Sequence, residues 1–593
     1  MKRALIAVAS GLVLADAAVV TLALPPILLD LDTTVEGVAA VIAVYTAVLA
    51  LALPLSAALH GRSTGAAGAL LFAAASIGCA SADSLELLLV MRALQALGGA
   101  ALLTAAFDAL EGGAAGRRVW IGAAVAGTAA GPALGGLLTE LFDWRAIFIA
   151  QAPVALAAAP ALVAAHATVV RERARLPRRD VLAAIALALL SGALTAVVFL
   201  LVLLLISGWS VEPLAAAAAV SVLPVAAVAG SFVRAPAATR AVAGCLLVAG
   251  GIACLALLPE ASALWTIVPQ LLAGVGMGMA FPALAGDLLP ERTRGQAAAL
   301  LSLRHAGITL ALVALAPIVA AELDQQVELA RERGTAVVLD SALPPTDKIA
   351  LAPRLFAEIE TEDPRDALAQ AVARERRRVA RGDRDLLSRL EQLEGQLGAD
   401  TGGVLGGLEE LEDRFGGGLL DELDERLGSR TSPADLRGEL ELLADELDEV
   451  VLAAVDAAFS PAFAITGGMA LLAALVLLPG RRRGLRAGAI GAALVMALAV
   501  PAVYALARTE LEPDPVEIAD PCEDRERRSV GGVEGAAEDV ALGALDRAAC
   551  EFGSSREELV LALFDDESRR EYRQEYGVDP RSMQELLRGI VGL

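Results

Sequence analysis

The chain has 593 residues, a formal net charge of −23 and 56% hydrophobic residues, with a mean hydropathy of +0.62. This composition is too apolar for a water-soluble protein, and the acidic balance argues against nucleic-acid binding, which needs a basic face. About thirteen stretches reach the roughly 20 apolar residues that a helix needs to cross a bilayer. The sequence therefore predicts a membrane protein with many spans.

The loops between these stretches alternate in charge. Loops after even-numbered stretches carry arginine, at Arg62, Arg117, Arg118, 171–179, Arg234, Arg240, Arg292, Arg294, 481–483 and Arg486. Loops after odd-numbered stretches carry acids, at Asp30, Asp32, Asp83, Glu86, Glu140, Asp143, Glu212 and Glu260. Basic residues stay in the cytoplasm during insertion. We therefore predict a multi-pass cell-membrane protein with a cytoplasmic amino terminus and an extracytoplasmic carboxy-terminal tail. The predicted cytoplasmic face is called the inner face below, and the opposite one the outer face.

Polar regions divide the chain into seven predicted parts. In order, these are six spans (1–166), a basic cytoplasmic linker (167–180), five spans (181–321), an acidic extracytoplasmic insertion (322–457), a twelfth span (458–480), a thirteenth span (485–507) and an acidic extracytoplasmic tail (508–593). Two six-helix halves around a cavity are typical of secondary transporters. The predicted fold is all-α and polytopic, with one extra span after the second half.

The insertion and the tail are both predicted to be helical. Leucines recur at three- and four-residue spacing among charged residues, which indicates amphipathic helices. The predicted helices cover 386–397, 405–427 and 436–455 in the insertion, and 557–564 and 583–590 in the tail.

Cysteine and histidine limit the chemistry. Cys522 and Cys550 lie in the tail, on the face predicted to be oxidising, so a disulfide between them is expected; the alternative is two free thiols. Histidine occurs only at His60, His166 and His305, so we predict neither a metal site nor a cofactor. The sequence also contains no catalytic set typical of an enzyme and no phosphate-binding Gly-Lys-Ser/Thr loop.

Ionisable residues within membrane spans are costly and normally face a cavity or a partner. The candidates are Asp16, Arg92, Asp108, Asp287, Arg304 and His305. Asp16 and Arg92 lie deepest in their spans, whereas Asp108 and Asp287 lie close to predicted inner loops.

Four segments of the first half carry a specific resemblance. They are 16–25 (DAAVVTLALP), 92–99 (RALQALGG), 127–136 (GTAAGPALGG) and 143–153 (DWRAIFIAQAP). The second half adds Gly274, Gly276, Gly278, Pro282, Gly295, Arg304 and Gly307. Together they resemble the multidrug/proton antiporter branch of the major facilitator superfamily, over residues 4–321 and 458–480. The loop 59–65 (LHGRSTG) departs from that pattern, because it lacks the superfamily's acidic residue.

The resemblance implies roles for particular residues. Asp16 would carry a proton and Arg92 would modulate its exchange. Span five would form a moving seam through Gly127, Gly131, Pro132, Gly135 and Gly136, since small residues allow close helix approach and proline bends a helix. Gln95, Arg304 and His305 would line the cavity or its gates. The structural alternatives are a fixed Asp16–Arg92 pair, simple glycine packing and a packed His305.

The leading functional hypothesis is a secondary transporter that exports small amphipathic compounds in exchange for protons. Its expected partners are the small-molecule substrate, protons and membrane lipids, with no nucleic acid. One alternative is a membrane scaffold or sensor that does not transport and binds a protein partner through its extracytoplasmic regions. Another is an exporter of a lipid or cell-envelope precursor.

Overall fold

The computed structural model describes residues 2–59, 63–110, 114–163, 180–289, 293–343, 348, 433–478, 485–511, 516–523 and 532–582. All regular secondary structure within these ranges is helical. The predicted all-α class is therefore confirmed.

The first half contains six long helices, which correspond to predicted spans one to six. They are Lys2–Thr21, Val35–Ala58, Thr64–Ala80, Leu85–Leu110, Ala114–Leu141 and Arg145–Val163, with a short helix Leu24–Asp30 after the first. Span two begins at a capping threonine, because the Thr34 side chain accepts a hydrogen bond from the backbone N–H of Gly37.

The second half follows the same plan. Spans seven to ten are Val181–Leu203, the pair Pro213–Val220 and Val222–Ser231, Ala237–Leu255 and Ile267–Pro282. Short π-helical turns, Leu204–Gly208 and Ala283–Leu288, extend spans seven and ten. Spans eleven to thirteen lie in the helices Arg294–Asp340, Pro433–Leu477 and Ala487–Leu511.

Eleven helical segments of the described ranges are long and apolar enough to cross a membrane, and Thr64–Ala80 is a shorter apolar helix. Their outward surfaces carry exposed apolar side chains such as Leu51 and Val225. An exposed apolar surface of this kind suits a lipid environment. The chain is a multi-pass membrane protein.

The chain forms two compact units. The membrane unit comprises Met1–Asp324 and Val455–Glu512, and the polar unit comprises Gln325–Ala454 and Pro513–Leu593. The insertion and the tail, which are separate in sequence, thus belong to one unit.

Two helices continue past the apolar segments that define their spans. Arg294–Asp340 has 47 residues and Pro433–Leu477 has 45, so the composition boundaries near 321 and 458 fall inside unbroken helices. The predicted helix 436–455 lies within the second of them. The predicted helices 386–397, 405–427 and 583–590 lie outside the described residues.

Spans nine and thirteen pack closely. A Cβ added to Gly250 of span nine would lie 2.5 Å from the Cα of Ala497 in span thirteen, which is too close for any side chain. Tyr504 of span thirteen donates a hydrogen bond of 2.7 Å to the carbonyl of Trp265. The extra span is therefore held against the outside of the second half.

The polar unit has two apolar clusters. The first joins the two long helices through Ala330, Val337, Val338, Leu343, Leu440, Leu443, Leu447, Val450 and Ala454. The second joins the tail helices Gly532–Phe552, Arg556–Phe564 and Asp566–Glu575 through Ala548, Ala549, Leu559, Ala562 and Tyr572. In the structure a disulfide links Cys522 to Cys550, with the Cα atoms 5.1 Å apart.

Buried ion pairs connect the insertion to the tail within this unit. Arg556 is fully buried, and its Nη2 lies 2.9 Å from Asp340 and 2.8 Å from Glu557. Burial alone would lower the pKa of Arg556, but the neighbouring carboxylates of Glu557 and Asp340 outweigh it and raise the pKa. Lys348 lies 2.5 Å from Glu538. Ion pairs between the acidic insertion and the acidic tail thus help to hold the two segments in one folded unit.

Replacing Glu332 by glutamine should remove a pH dependence of the polar unit. Burial raises the pKa of Glu332 from 4.5 to about 7, and the carboxylates Glu558, Glu328 and Glu557 add to the rise. A raised folded-state pKa means that protonation stabilises the fold fully below the unfolded pKa near 4.5, and that this contribution is lost as the pH rises through about 7.

We expect Glu332→Gln to stabilise the polar unit above pH 7 by about 1 kcal/mol, after allowance for solvent screening of a half-buried group. Amide hydrogen exchange in Arg556–Phe564 of the full chain, at pH 5 and at pH 8, measures the effect. The exposed residue Glu567, replaced by glutamine, serves as the control. Equal protection in Glu332→Gln and wild type at both pH values would contradict the assignment.

Candidate functional site

Asp16 and Arg92 meet in the interior of the first half. Asp16 lies on span one, where its Oδ2 is 2.6 Å from Nη1 of Arg92 on span four, and both side chains are 0% exposed. Charges this far from water interact strongly, because the local dielectric constant is low. The two deepest ionisable residues of the sequence therefore form one buried ion pair.

Two glutamines close this pair into a ring of side chains. Nη1 of Arg92 donates to Oε1 of Gln95 over 2.6 Å. Nε2 of Gln95 donates to Oε1 of Gln151 over 2.7 Å, and Nε2 of Gln151 donates to Oδ1 of Asp16 over 2.9 Å. All four side chains are buried. We call these four residues the polar ring.

The aromatic residues Tyr45 and Phe148 surround Arg92. Its guanidinium carbon lies 4.2 Å from the ring centroid of Tyr45 and 5.6 Å from that of Phe148. Nε of Arg92 donates to the carbonyl of Val41 over 3.1 Å. Cation–π contacts and a backbone acceptor thus hold the arginine in a single orientation.

The ion pair is not fully satisfied by hydrogen bonds. Among the described residues, neither Oδ2 of Asp16 nor Nη2 of Arg92 has a hydrogen-bond partner. The contact between Oδ2 and Nη1 is therefore one of charges rather than an aligned hydrogen bond. An incompletely bonded buried pair contributes little net stability, although removing one partner is strongly destabilising.

The motif at the start of span six joins three segments near the predicted outer face. The indole Nε1 of Trp144 donates to Oδ2 of Asp30 over 3.1 Å. Nη2 of Arg145 lies 2.8 Å from the same carboxylate and donates to the carbonyl of Ala82 over 3.2 Å. These contacts connect span six to the loops that follow spans one and three, and thereby fix the position of Gln151 two turns further along.

The small residues of span five lie along spans one and eight. A Cβ added to Gly135 would lie 2.2 Å from the carbonyl oxygen of Val19 in span one. One added to Gly136 would lie 2.3 Å from Cβ of Ala217 in span eight. Gly127 and Gly131 also face span one, and Pro132 lies inside the helix. Span five therefore contacts both its own half and the other half.

The two halves also meet between spans two and eleven. The hydroxyls of Thr46 and Thr309 lie 2.9 Å apart, and Ser302 donates to the carbonyl of Ala50 over 2.6 Å. Nearer the predicted inner face, Nη1 of Arg294 lies 2.5 Å from Oδ2 of Asp108 on span four. Asp108 thus pairs across the halves, whereas Asp287 pairs with Arg240 within the second half.

The remaining candidates, His305 and Arg304, lie on span eleven. His305 is buried on span eleven, and its Nδ1 lies 2.7 Å from the carbonyl oxygen of Leu301. The Arg304 guanidinium lies 5.3 Å from the ring centroid of Phe281. The ranges that the structure covers contain no cluster of His, Cys, Asp and Glu suited to a metal ion. Their role as gate residues stays a prediction.

These features define a polytopic helical membrane protein of two six-helix halves with a charged pair inside the first. The family model of the Major Facilitator Superfamily matches residues 6–317. The chain therefore belongs to the Major Facilitator Superfamily.

Curated relatives match parts of the chain. The multidrug resistance protein Stp of Mycobacterium tuberculosis is 36% identical over 163 residues, which cover 25% of this chain and 30% of that protein. The tetracenomycin C resistance and export protein of Streptomyces glaucescens is 33% identical over 220 residues, covering 35% and 40%. The matched segments thus span less than half the length of these relatives.

Solved structures also match. A bacterial homologue of the human lysosomal transporter Spinster, in an inward-facing and unoccupied conformation, aligns with a TM-score of 0.49 at 13% identity. The alignment covers 81% of this chain and 98% of that one.

Arg92→Met should destabilise the membrane unit by about 3–5 kcal/mol, because it leaves the Asp16 carboxylate buried without a counter-charge. Adding Asp16→Asn should recover most of the loss, since the pair is then absent as a whole. Thermal unfolding of the purified protein in detergent measures both effects. Arg240→Met, at the partly exposed pair with Asp287, is the matched control. A loss in Arg92→Met no larger than in this control would contradict the prediction.

Proposed function

We propose that the protein is a secondary transporter that exports small amphipathic compounds in exchange for protons. The observation that carries the proposal is the fully buried Asp16–Arg92 pair, in which a carboxylate has an ionic partner and no hydrogen-bond partner at Oδ2 among the described residues. Major Facilitator Superfamily proteins are transporters rather than enzymes. The relatives whose names state drug resistance or export support the direction of transport.

A proton on Asp16 would cancel the charge that holds Arg92. The ion pair is strong only while the acid is ionised, so protonation frees the guanidinium to leave the carboxyl group. Both side chains are 0% exposed in this conformation. Proton exchange must therefore accompany a rearrangement that opens the first half, which is the coupling an antiporter needs.

The contacts between the halves provide the second part of the mechanism. The seams between spans two and eleven and between spans five and eight consist of hydroxyls and small residues, and one ion pair joins spans four and eleven. Small residues let the helices slide or rock without displacing large side chains. The substrate would bind between the halves, whose apolar composition suits amphipathic cargo.

A second candidate is a scaffold or sensor that does not transport. The polar unit favours it, because a disulfide and buried ion pairs give this unit a defined fold of its own. A folded unit outside the membrane could equally receive a lipid or cell-envelope precursor exported by the membrane unit. Both alternatives require the polar unit, whereas proton-coupled export requires Asp16.

Asp16→Asn should abolish proton-driven efflux, measured per amount of folded protein in the membrane because the substitution also leaves Arg92 without its counter-charge. The amide has the shape of the acid but cannot carry a proton at neutral pH, so substrate movement is no longer linked to the gradient. Efflux of a lipophilic cationic dye from energised cells measures it, with a protonophore as a second control. Full, protonophore-sensitive efflux by Asp16→Asn would sink the proposal. Absence of efflux from wild-type protein as well as from Asp16→Asn, at normal amounts of inserted protein, would favour the scaffold.

The Asp108–Arg294 pair should keep the halves closed at the predicted inner face. Asp108→Arg places two cations together and should open this side. The exchanged double variant Asp108→Arg with Arg294→Asp restores opposite charges and should close it again. The readout is labelling of Ser302→Cys by a membrane-impermeant maleimide in inside-out vesicles, where the reagent meets the predicted inner face; we expect labelling to rise several-fold in the single variant. Equal labelling of wild-type, single and double variants would show that this pair does not control access.

A further inference from the structure

Gln151 is a member of the polar ring that has no role in the proposed mechanism so far. It lies on span six, is 1% exposed and donates to Oδ1 of Asp16, whereas Arg92 lies against Oδ2. A neutral amide with both ends bonded could be a packing residue. The direction of the hydrogen bonds distinguishes packing from control of the acid.

The guanidinium of Arg92 fixes the direction of the hydrogen bonds in the polar ring. A guanidinium has only donors, so the group of Gln95 that faces Arg92 must be its carbonyl oxygen. The amide nitrogen of Gln95 then points away and donates one hydrogen to Ser76 and the other to Gln151. The hydroxyl of Ser76 donates its hydrogen to the carbonyl of Phe72, so the Ser76 oxygen can accept the hydrogen bond from Gln95. Two independent neighbours therefore set the orientation of Gln95.

The orientation of Gln151 follows from that of Gln95. Its carbonyl oxygen must accept from the Gln95 amide, which leaves only its own N–H group to face Asp16. A flipped Gln151 would place two donors against each other at Gln95 and two acceptors against each other at Asp16. The positions of the oxygen and nitrogen atoms in the Gln151 amide thus follow from the whole hydrogen-bond network and not from that side chain alone. A hydrogen bond donated to a carboxylate favours its ionised form.

We propose that Gln151 is the positioning residue of the proton-carrying acid: it holds Oδ1 of Asp16, directs proton exchange to Oδ2 and sets the pH at which the exchange occurs. The proposal rests on the proposed proton coupling. Oδ1 is occupied by the N–H group of Gln151, whereas Oδ2 accepts no hydrogen bond from the described residues. A proton arriving at Oδ2 displaces Nη1 of Arg92, and its departure restores the ion pair.

Other titratable groups face Asp16 from three helices. Arg92 approaches from span four, Tyr45 from span two and Cys79 from span three. Residues 119–139 of span five and 181–203 of span seven contain no titratable side chain. Tyr45 donates its hydroxyl to the carbonyl of Val13 over 3.0 Å. Gln151 is the hydrogen-bond donor at Oδ1 of Asp16. A substitution that removes the Gln151 amide should therefore change the protonation of the Asp16 carboxylate.

The test titrates Asp16 without requiring transport. Infrared difference spectra of the purified full-length protein give the C=O band of a protonated carboxyl group, and the band lost in Asp16→Asn belongs to Asp16. We expect the midpoint of this band to move upward by about one pH unit in Gln151→Met, because the carboxylate loses a charge-assisted hydrogen bond. In Gln151→Glu it should move further, because the shape is kept while a second carboxyl group replaces the donor.

The matched control is Gln270→Met. Gln270 is likewise buried in a membrane span, but its amide donates to Thr266 and it has no place in the polar ring. It should leave the midpoint of the Asp16 band unchanged. A midpoint in both Gln151 variants equal to that of Gln270→Met and of wild type would overturn the inference.

Transport separates this inference from the function on which it rests. In proteoliposomes with a fixed pH gradient, the pH of half-maximal dye transport should shift in Gln151→Met in the same direction as the infrared band. If Asp16→Asn abolishes transport while the Gln151 variants keep the wild-type band and pH profile, the positioning role is wrong and proton coupling stands. If Asp16→Asn transports normally with the gradient, proton coupling itself is wrong.

Discussion

A buried ion pair that lacks part of its hydrogen bonding is the constraint on which the first half depends. Asp16 and Arg92 lie 2.6 Å apart with no exposure, in surroundings where an isolated charge would cost several kcal/mol. Side chains of the neighbouring spans contact the pair directly or bond to the glutamines that do. Five of the first six spans contribute to this arrangement, through Asp16, Tyr45, Ser76, Arg92, Gln95 and Gln151. A change of charge at the pair therefore alters contacts of most of the half at once.

Span five, the remaining span of the first half, contacts its neighbours through small residues rather than through polar side chains. Span five presents glycine where span one and span eight come closest, at Gly135 and Gly136. Close backbone contact replaces the packing of large side chains, so the same surface can stay in contact at more than one angle. The polar interior and the small-residue seam are complementary: one holds the first half together, and under the proposed mechanism the other allows it to move against the second half.

The sequence predicted the membrane fold, the family and the two deepest charges, but not the polar ring. Ionisable residues in apolar spans are conspicuous because burying them is costly. Gln151 and Ser76 are neutral, and a single sequence does not reveal which helix faces they share. Similarly, the Asp108–Arg294 pair joins residues 186 positions apart, so only the tertiary structure brings them together. The changes in composition near residues 321 and 458 are visible in the sequence. The continuity of the helices Arg294–Asp340 and Pro433–Leu477 is not, because a helix can pass from an apolar into a polar segment without any signal in the sequence at that point.

The polar unit places a physical limit on the rival functions. A segment that only solvates the protein gains nothing from a buried arginine, and Arg556 is fully buried among carboxylates that raise its pKa. Such an arrangement is stable only when its members are held in fixed positions. The acidic residues there are thus partly used to specify a fold, which argues against reading the whole of the net negative charge as an unstructured surface. A folded polar unit and a membrane unit with a buried ion pair are compatible with the proposed export followed by handover, and a requirement for Asp16 would separate that mechanism from scaffolding alone.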